Sequence, residues 1–211
     1  MRKTLYPKTT RVGNPEFQIT EKLDGSNLGF FNLDGDLVIA QRNRVYLLSN
    51  IEEDKKALYK GLYQFLKDNG EHLLANMHEG SGVFGEWIGM GRLKYGDSLD
   101  NKFHIFAKAN IQGSMEDESI EAYNLYWNRD FLVYPFVDQV IPDYISLPNL
   151  VATVKSVAIP ELNKLYDEYL LEVDRPVEGF VIMDQSGTIT KYVRNKGGKM
   201  EEHQIPKKSV T

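Results

Sequence analysis

A hairpin signal near the start of the chain constrains its fold more than any other feature. Two apolar runs, residues 28–31 and 37–40, flank Asp34-Gly35. An Asp-Gly pair between such runs is a strong indication of a tight turn that joins two antiparallel strands. Residues 17–21, just before, alternate apolar and polar side chains with the period of a strand. The sequence therefore predicts an antiparallel sheet, with Lys22 at the end of its first strand.

Helix signals follow the hairpin and recur in the last third of the chain. Ser49 or Asn50 can cap a helix with an acidic first turn, and Gly70 is a suitable stop. Pro160, favoured at a first helical position, opens another amphipathic helix. Residues 150–158 are expected to form a short helix, and the segment 115–127 is predicted as helix or loop.

Strand signals alternate with these helices. Further strands are predicted at residues 82–88, 103–107, 179–183 and 188–193, the last two forming a hairpin. The chain shows no repeat, no low-complexity tract and no linker. We therefore predict a single α+β domain that covers residues 1–211.

The composition excludes several classes of protein. The chain has 211 residues, 42% of them hydrophobic, and no run approaches the roughly 20 apolar residues of a membrane span. No apolar run follows the basic residues at the start, so we expect no secretory signal. The absence of cysteine excludes disulfides and thiolate metal sites, and we expect a cytoplasmic protein. A net charge of -5 indicates that any contact with nucleic acid is local.

The segment Glu21-Lys22-Leu23-Asp24-Gly25-Ser26-Asn27 holds a lysine suited to nucleophilic catalysis. A lysine amine attacks only when it is unprotonated. Because the reference pKa of lysine is about 10.4, a protein that uses one must lower this value by burial or by nearby positive charge. A divalent metal would provide that charge and would also neutralise a phosphate. By itself, Lys-x-Asp-Gly is a weak signal.

Three short motifs follow Lys22 along the chain. Phe84-Gly85-Glu86-Trp87 places a carboxylate on an apolar strand, Glu178-Gly179-Phe180-Val181 places an acid before a hydrophobic strand, and Lys191-Tyr192-Val193 ends a strand. For Glu86 the alternative is a strand-edge glutamate that faces solvent, for Glu178 a charge at the end of a hairpin, and for the basic run that begins at Lys191 a solvated surface stretch. The last motif begins a basic run without acids, which contains Lys191, Arg194, Lys196 and Lys199.

In this order, the motifs resemble the series found in the covalent nucleotidyltransferase superfamily, which includes ATP-dependent DNA ligases, RNA ligases and mRNA capping enzymes. The glutamate before the lysine, the Ser-Asn after the glycine and the Phe-Gly-Glu-Trp form are most similar to small, phage-type RNA ligases. The resemblance extends from about Phe17 to Lys199. It implies an ATP-grasp-like ligase adenylation domain, with antiparallel sheets flanked by helices.

The resemblance also implies roles for individual residues. Lys22 would attack the α-phosphate of ATP and form a lysyl-AMP, and Lys191 would neutralise charge as pyrophosphate leaves. Glu178 would bind the divalent metal, Mg²⁺ or Mn²⁺, and Glu86 would accept a hydrogen bond from the ribose. Phe106 would stack on adenine, with a place in the core as the alternative.

Four further positions complete the implied ATP site. Glu21 would lie near the adenine, Asp24 would orient the lysine, and Asn27 would contact the phosphate region. Arg42 would contact the ribose or a phosphate, although Arg44 competes for this role.

The chain departs from the family pattern at two places. Val193 stands where relatives often carry a second lysine, which would contact the triphosphate. Arg194 or Lys196 would replace it, but Arg194 is expected on the opposite face of the strand from Lys191. Many relatives also carry an aspartate just after the aromatic strand, where this chain has Ala107-Lys108.

These expectations converge on an ATP-dependent RNA ligase that joins 5′-phosphate and 3′-hydroxyl ends and consists of the adenylation domain without a separate C-terminal domain. Its partners would be nucleic-acid ends, with RNA favoured over DNA, and we expect no membrane contact and a monomer. The ends would meet a surface that includes Arg92, Lys94, Lys196 and Lys199. The alternatives are a DNA ligase, or a nucleotide- or end-binding protein that has lost ligation.

Overall fold

Two antiparallel sheets organise the chain. The computed structural model describes residues 16–114, 119–126, 135–138, 140–196 and 199–200. The larger sheet has the strand order β4-β3-β2-β5-β6-β7. Its strands are, in chain order, β2 (Gly25–Leu33), β3 (Asp36–Gln41), β4 (Arg44–Leu47), β5 (Ser81–Ile88), β6 (Phe103–Gln112) and β7 (Glu121–Tyr126).

The smaller sheet contains the first strand of the described chain. Its order is β10-β9-β1-β8. These strands are β1 (Phe17–Lys22), β8 (Leu150–Val154), β9 (Gly179–Met183) and β10 (Ile189–Val193). A separate pair, β11 (Asn195–Lys196) and β12 (Lys199–Met200), follows it. Since β1 and β2 are consecutive, the chain crosses from one sheet to the other directly after Lys22.

The predicted hairpin is confirmed. Leu33 pairs with Asp36 across the turn. Asp34 and Gly35 both have positive φ, 53° and 75°, as a type I′ turn requires at its two central residues. The strands predicted at 82–88 and 103–107 and the hairpin of 179–183 with 188–193 are also confirmed by β5, β6, β9 and β10.

Each main sheet is covered by one long helix. Helix α2 (Leu62–Ala75) buries Leu62, Leu66 and Leu73 against the larger sheet, and α3 (Ile159–Val173) buries Leu162, Tyr166 and Tyr169 against the smaller one. Pro160 lies at the start of α3, as predicted. None of the helices in the described ranges is long and apolar enough to cross a membrane.

The single helix predicted from Ser49 or Asn50 to Gly70 is wrong. The structure has a short α1 (Ile51–Asp54) and then α2, separated by residues 55–61. Tertiary contacts hold this segment outside a helix, because Gln41 Nε2 donates to the Ala57 carbonyl and Trp87 Nε1 to the Lys60 carbonyl. Gly70 lies inside α2, where a Cβ would be 2.8 Å from Leu48 Cδ1, so it makes room for packing and does not end the helix.

Two other predicted elements are strands in the structure. Residues 150–158 were expected to be helical, but Leu150–Val154 forms β8, which pairs with β1 from Phe17 onwards. The segment 115–127 was expected as helix or loop, but Glu121–Tyr126 forms β7 against β6. Residues 115–118 and 127 lie outside the described part. In both cases an available strand edge in the tertiary structure outweighs a weak local signal.

The packing of α3 leads to a stability prediction. Leu162 is 4% exposed and Leu171, in the same helix, is 84% exposed. Leu162→Ala should lower the free energy of unfolding by about 2–5 kcal/mol, because it leaves a cavity against the sheet. Leu171→Ala should change it by less than about 0.5 kcal/mol. Denaturant unfolding measures both, and equal losses would contradict this packing.

Candidate active site

Lys22 lies at the junction of the two sheets. It is the last residue of β1, and its strand partner is Gly179 at the start of β9. Glu178 directly precedes Gly179, and its Oε2 lies 2.5 Å from Lys22 Nζ. The side chains are 24% and 10% exposed, so this ion pair is mostly withdrawn from water. Chain crossing and strand register together place a lysine and a carboxylate in contact.

Gly179 is required for this arrangement. A Cβ at this position would lie 2.0 Å from the carbonyl oxygen of Tyr192 in β10. The Glu178 carbonyl accepts hydrogen bonds from the backbone N–H groups of Arg194 and Asn195. The Glu-Gly pair thus allows β10 to approach closely while the Glu178 side chain points at Lys22.

The junction opens into a cavity of about 460 Å³. Five of the predicted site residues line it, namely Glu21, Lys22, Glu86, Phe106 and Lys191. Apolar side chains make up much of the remaining wall, including Ile105, Leu147, Pro148, Leu150, Val181 and Met183. A concave, mainly apolar pocket with a few charged groups is typical of a small-molecule site.

Strand register explains how Lys191 reaches the same cavity as Lys22. Lys191 pairs with Val181, and Val181 pairs with Thr20. Lys22 is two residues beyond Thr20 on the same strand, and side chains two residues apart share a face. The two lysines therefore lie on one face of the smaller sheet.

Glu86 and Glu178 are carboxyl groups in a poorly solvated environment. Burial raises the pKa of Glu86 to about 7, although the nearby charge of Lys22 and a hydrogen bond from the Gly25 N–H oppose this effect. Burial also raises the pKa of Glu178, against the lowering effect of its hydrogen bond with Lys22. Glu86 lines the cavity, whereas Glu178 meets it through its contact with Lys22.

Asp24 anchors a loop and does not line the cavity. Its Oδ2 accepts the backbone N–H groups of Arg92 and Leu93 at 2.6 and 2.7 Å. Its own N–H donates to the Tyr95 hydroxyl at 2.7 Å. The loop after β5, with Arg92 and Lys94 exposed on it, is therefore fixed to the residues that follow Lys22.

The carboxylate of Glu21 is fully engaged inside the protein. Arg175 binds it with both terminal nitrogens, at 2.7 Å for the Nη2–Oε2 contact. The Tyr169 hydroxyl donates to Oε2 at 2.8 Å, and Asn149 Nδ2 donates at 3.3 Å. Although Glu21 borders the cavity, these partners differ from the adenine contact that the sequence predicted for it.

Sequence reasoning missed Arg175, Tyr169, Asn149 and Tyr95. Arg175 follows the end of α3, and a single arginine in a connecting segment reads as a surface residue. Strand alternation could have indicated that Glu21 lies on the opposite face from Lys22, but it does not identify the partners.

Asn27, Arg42 and Arg44 do not line the cavity. Asn27 is exposed and pairs with Glu86 across β2 and β5, so it lies beside the site. Arg42 and Arg44 are exposed at the turn between β3 and β4, and the Arg42 backbone N–H donates to the Tyr59 hydroxyl at 3.2 Å.

Arg194 lies away from the cavity. Its guanidinium donates to Asn163 Oδ1 at 3.1 Å, lies 3.7 Å from Asp167 Oδ1 and sits 5.2 Å from the centre of the Tyr166 ring. These are residues of α3, on the face opposite Lys191, as the alternation predicted. Lys196 lies in β11 and Lys199 in β12, and the side chains of both are outside the described residues.

The described ranges contain no group of three or more His, Cys, Asp or Glu residues that could hold a metal. A magnesium-type ion, however, commonly uses one or two carboxylates together with phosphate oxygens and waters. Glu178, whose carboxylate contacts the cavity residue Lys22, is a donor of this kind. The site therefore fits a metal that arrives with a phosphate ligand and does not fit a cage made by protein side chains.

Together, the fold and the site define an α+β protein with two antiparallel sheets and a charged cavity at their junction. The chain belongs to the RNA ligase family, whose model matches residues 15–196. No curated protein shows a significant match to the sequence.

Solved structures of Naegleria gruberi RNA ligase are similar to this chain at low identity. An apo variant gives a TM-score of 0.43 with 14% identity and covers 85% of this chain and 49% of that one. A variant with ATP and Mn gives 0.43 and 14%, with 85% and 50% covered. The enzyme with PPi gives 0.44 and 15%, with the same coverage. The chain thus spans about half the length of these proteins.

The buried Glu86 carboxyl makes stability depend on pH. Its pKa is about 7 in the folded protein against 4.5 for an unperturbed glutamate, so between these values the folded protein keeps a proton that the unfolded chain has lost. The free energy of unfolding should therefore fall as pH rises from 4.5 to 7, by up to about 3 kcal/mol from this group. Glu86→Gln should remove this contribution, as measured by denaturant unfolding across that range.

Glu71→Gln is the matched control, because Glu71 is exposed on α2. This variant should keep the pH dependence of the wild type. Glu178, whose pKa is also raised, contributes in the same direction in all three proteins. An unchanged profile in Glu86→Gln would contradict the burial of Glu86.

Proposed function

We propose that this protein is an ATP-dependent RNA ligase that joins 5′-phosphate and 3′-hydroxyl ends through a covalent lysyl-AMP. The observation that carries the proposal is the contact of Glu178 with Lys22 Nζ, since Lys22 lines a cavity that Lys191 also lines. Membership of the RNA ligase family supports it. In this proposal, the matched residues form an adenylation domain.

The first step is attack of Lys22 Nζ on the α-phosphate of ATP. A phosphorus–nitrogen bond forms, the bond between the α-phosphate and the bridging oxygen breaks, and pyrophosphate leaves. The contact between Lys22 Nζ and Glu178 must be broken before the amine can attack. A divalent cation, Mg²⁺ or Mn²⁺, held by Glu178 and phosphate oxygens, would supply the positive charge that favours the neutral amine.

The other cavity residues bind and orient the nucleotide. Glu86, when ionised, accepts a hydrogen bond from the ribose. Phe106 offers an aromatic face to the adenine, and Lys191 stabilises the charge that develops at the α-phosphate. Asn27 extends the site beside Glu86, and Arg42 or Arg44 contributes from the rim. Lys196 remains the candidate for the triphosphate contact that Val193 cannot make, because Arg194 packs against α3.

The later steps transfer AMP and seal the strand. A 5′-phosphate attacks the lysyl-AMP, which frees Lys22 and forms a pyrophosphate bond between AMP and the RNA end. A 3′-hydroxyl then attacks the 5′-phosphate and expels AMP. Arg92 and Lys94, exposed on the loop that Asp24 anchors, would contact the RNA backbone. Such contacts weaken as salt concentration rises.

Incubation with α-labelled ATP and Mg²⁺ or Mn²⁺ tests the covalent step. Wild type should acquire acid-labile label and Lys22→Ala should acquire none, because the nucleophile is absent. Label from GTP should be weak. Pyrophosphate treatment beforehand releases AMP from any enzyme that was purified already adenylated. A wild type that is never labelled after this treatment would refute the proposal.

A panel of 5′-phosphorylated RNA and DNA ends, nicked and single-stranded, then identifies the substrate. RNA should be sealed in preference to DNA. Sealing of DNA alone would replace the RNA ligase proposal with a DNA ligase.

Lys191→Ala should slow labelling by about 100-fold or more, as loss of a group that stabilises transition-state charge usually does. Lys155→Ala is the control, since Lys155 is exposed and does not line the cavity. Single-turnover labelling with both variants measures the effect. Equal rates would remove Lys191 from the proposed mechanism.

A further inference from the structure

We propose that the buried ion pair of Glu21 with Arg175 is a positioning device for Lys22 and that Glu21 does not read the adenine. This inference rests on the proposed function, because it concerns the lysine that would receive AMP. It assigns a role to Arg175, a residue for which the sequence offers no motif.

The hydrogen bonds of Glu21 hold its carboxylate inside the protein. An ionised carboxylate has about four acceptor positions. Three donors converge on Oε2, namely Arg175 Nη2, Tyr169 Oη and Asn149 Nδ2, and Arg175 Nη1 binds Oε1. The Arg175 and Glu21 side chains are 6% and 1% exposed. An adenine amino group would have to enter this buried cluster to reach the carboxylate.

These donors fix the end of β1 from three directions. Tyr169 lies on α3, Arg175 follows α3, and Asn149 directly precedes β8. The backbone adds to the same link, since the Glu21 N–H donates to the Asn149 carbonyl at 2.9 Å. The residue before Lys22 is therefore held through both its side chain and its main chain.

Arg175 also contacts the structure that follows Lys22. Its guanidinium lies 5.6 Å from the centre of the Tyr95 ring. Tyr95 accepts the Asp24 N–H and packs with buried Leu23. One arginine thus connects the residue before Lys22 to the residues after it, while the Lys22 amine extends to Glu178.

Positioning is a better explanation of this pair than stability. A buried ion pair contributes little net stability, because apolar residues of similar size often replace it without loss. In contrast, displacement of a nucleophile by about 1 Å can slow its reaction 100-fold. Fixing both neighbours of Lys22 restricts the place from which its amine can attack.

The test compares three variants by single-turnover labelling with α-labelled ATP and by thermal unfolding. Glu21→Gln/Arg175→Met removes both charges, so no unpaired charge is left in the interior. We expect its rate at saturating ATP to fall about 100-fold, while the ATP concentration for half-saturation stays within about threefold of wild type, since the nucleotide contacts of the cavity remain.

Arg175→Lys keeps the charge but cannot form the two-nitrogen contact. Its saturating rate should lie between those of wild type and the double variant, and it provides a second measurement if the double variant folds poorly. Arg194→Met is the matched control, because Arg194 is a partly buried arginine that packs on α3. This control should keep the saturating rate even where its melting temperature falls.

The outcomes distinguish a positioning role for Glu21 from a role in adenine binding, and a failure of this inference from a failure of the proposed function. A double variant with the wild-type rate would refute the positioning role. A large rise in the half-saturating ATP concentration at an unchanged saturating rate would instead assign Glu21 to adenine binding. If wild type is not labelled, the proposed function is refuted, and this inference with it. If wild type is labelled normally and both Arg175 variants keep the full rate, this inference alone is refuted.

Discussion

The crossing of the chain from the smaller sheet to the larger one at Lys22 is the constraint on which the site depends. β1 lies between β9 and β8, while β2 lies between β3 and β5. The same short connection therefore joins two hydrogen-bonded systems, and its Leu23 packs in a separate small cluster with Leu93 and Tyr95. Strand β9 brings Glu178 to Lys22, and β10 brings Lys191 to the same face. Charged side chains that are far apart in sequence meet because strand pairing fixes the register of the residues that carry them.

Burial of charge is a consequence of this geometry. A junction between two sheets excludes water, so each charge there requires a partner. Glu178 has Lys22, and Glu21 has Arg175. Glu86 accepts a backbone hydrogen bond from Gly25, and burial raises its pKa to about 7. Lys22 of the first pair lines the cavity, so we propose a catalytic role for this pair. The second pair is enclosed by residues of α3 and the segment before β8, so we propose that it positions Lys22.

Local sequence signals were reliable where they were strong and unreliable where a distant partner decided the outcome. The Asp34-Gly35 turn requires positive φ at two positions, and the residue types specify it. Residues 150–158 carry only a weak helical preference, and pairing with β1 converts the first five of them to a strand. The helix expected from residue 49 to 70 fails because Trp87 and Gln41 bind the backbone of its middle. Such contacts cannot be predicted from the local sequence of residues 55–61, because the donor side chains lie elsewhere in the chain.

The sequence by itself determined the family, the antiparallel strands around the hairpins and the identity of the charged residues at Lys22, Glu86, Glu178 and Lys191. These follow from local turn chemistry and from motif order, which are properties of neighbouring residues. Only the tertiary structure decided which of these groups share a cavity, that Asp24 anchors a loop, and that Glu21 is enclosed by Arg175, Tyr169 and Asn149. The physical reason is that side-chain partners are set by strand register and helix packing, which join residues more than 100 positions apart, as Glu21 and Arg175 are.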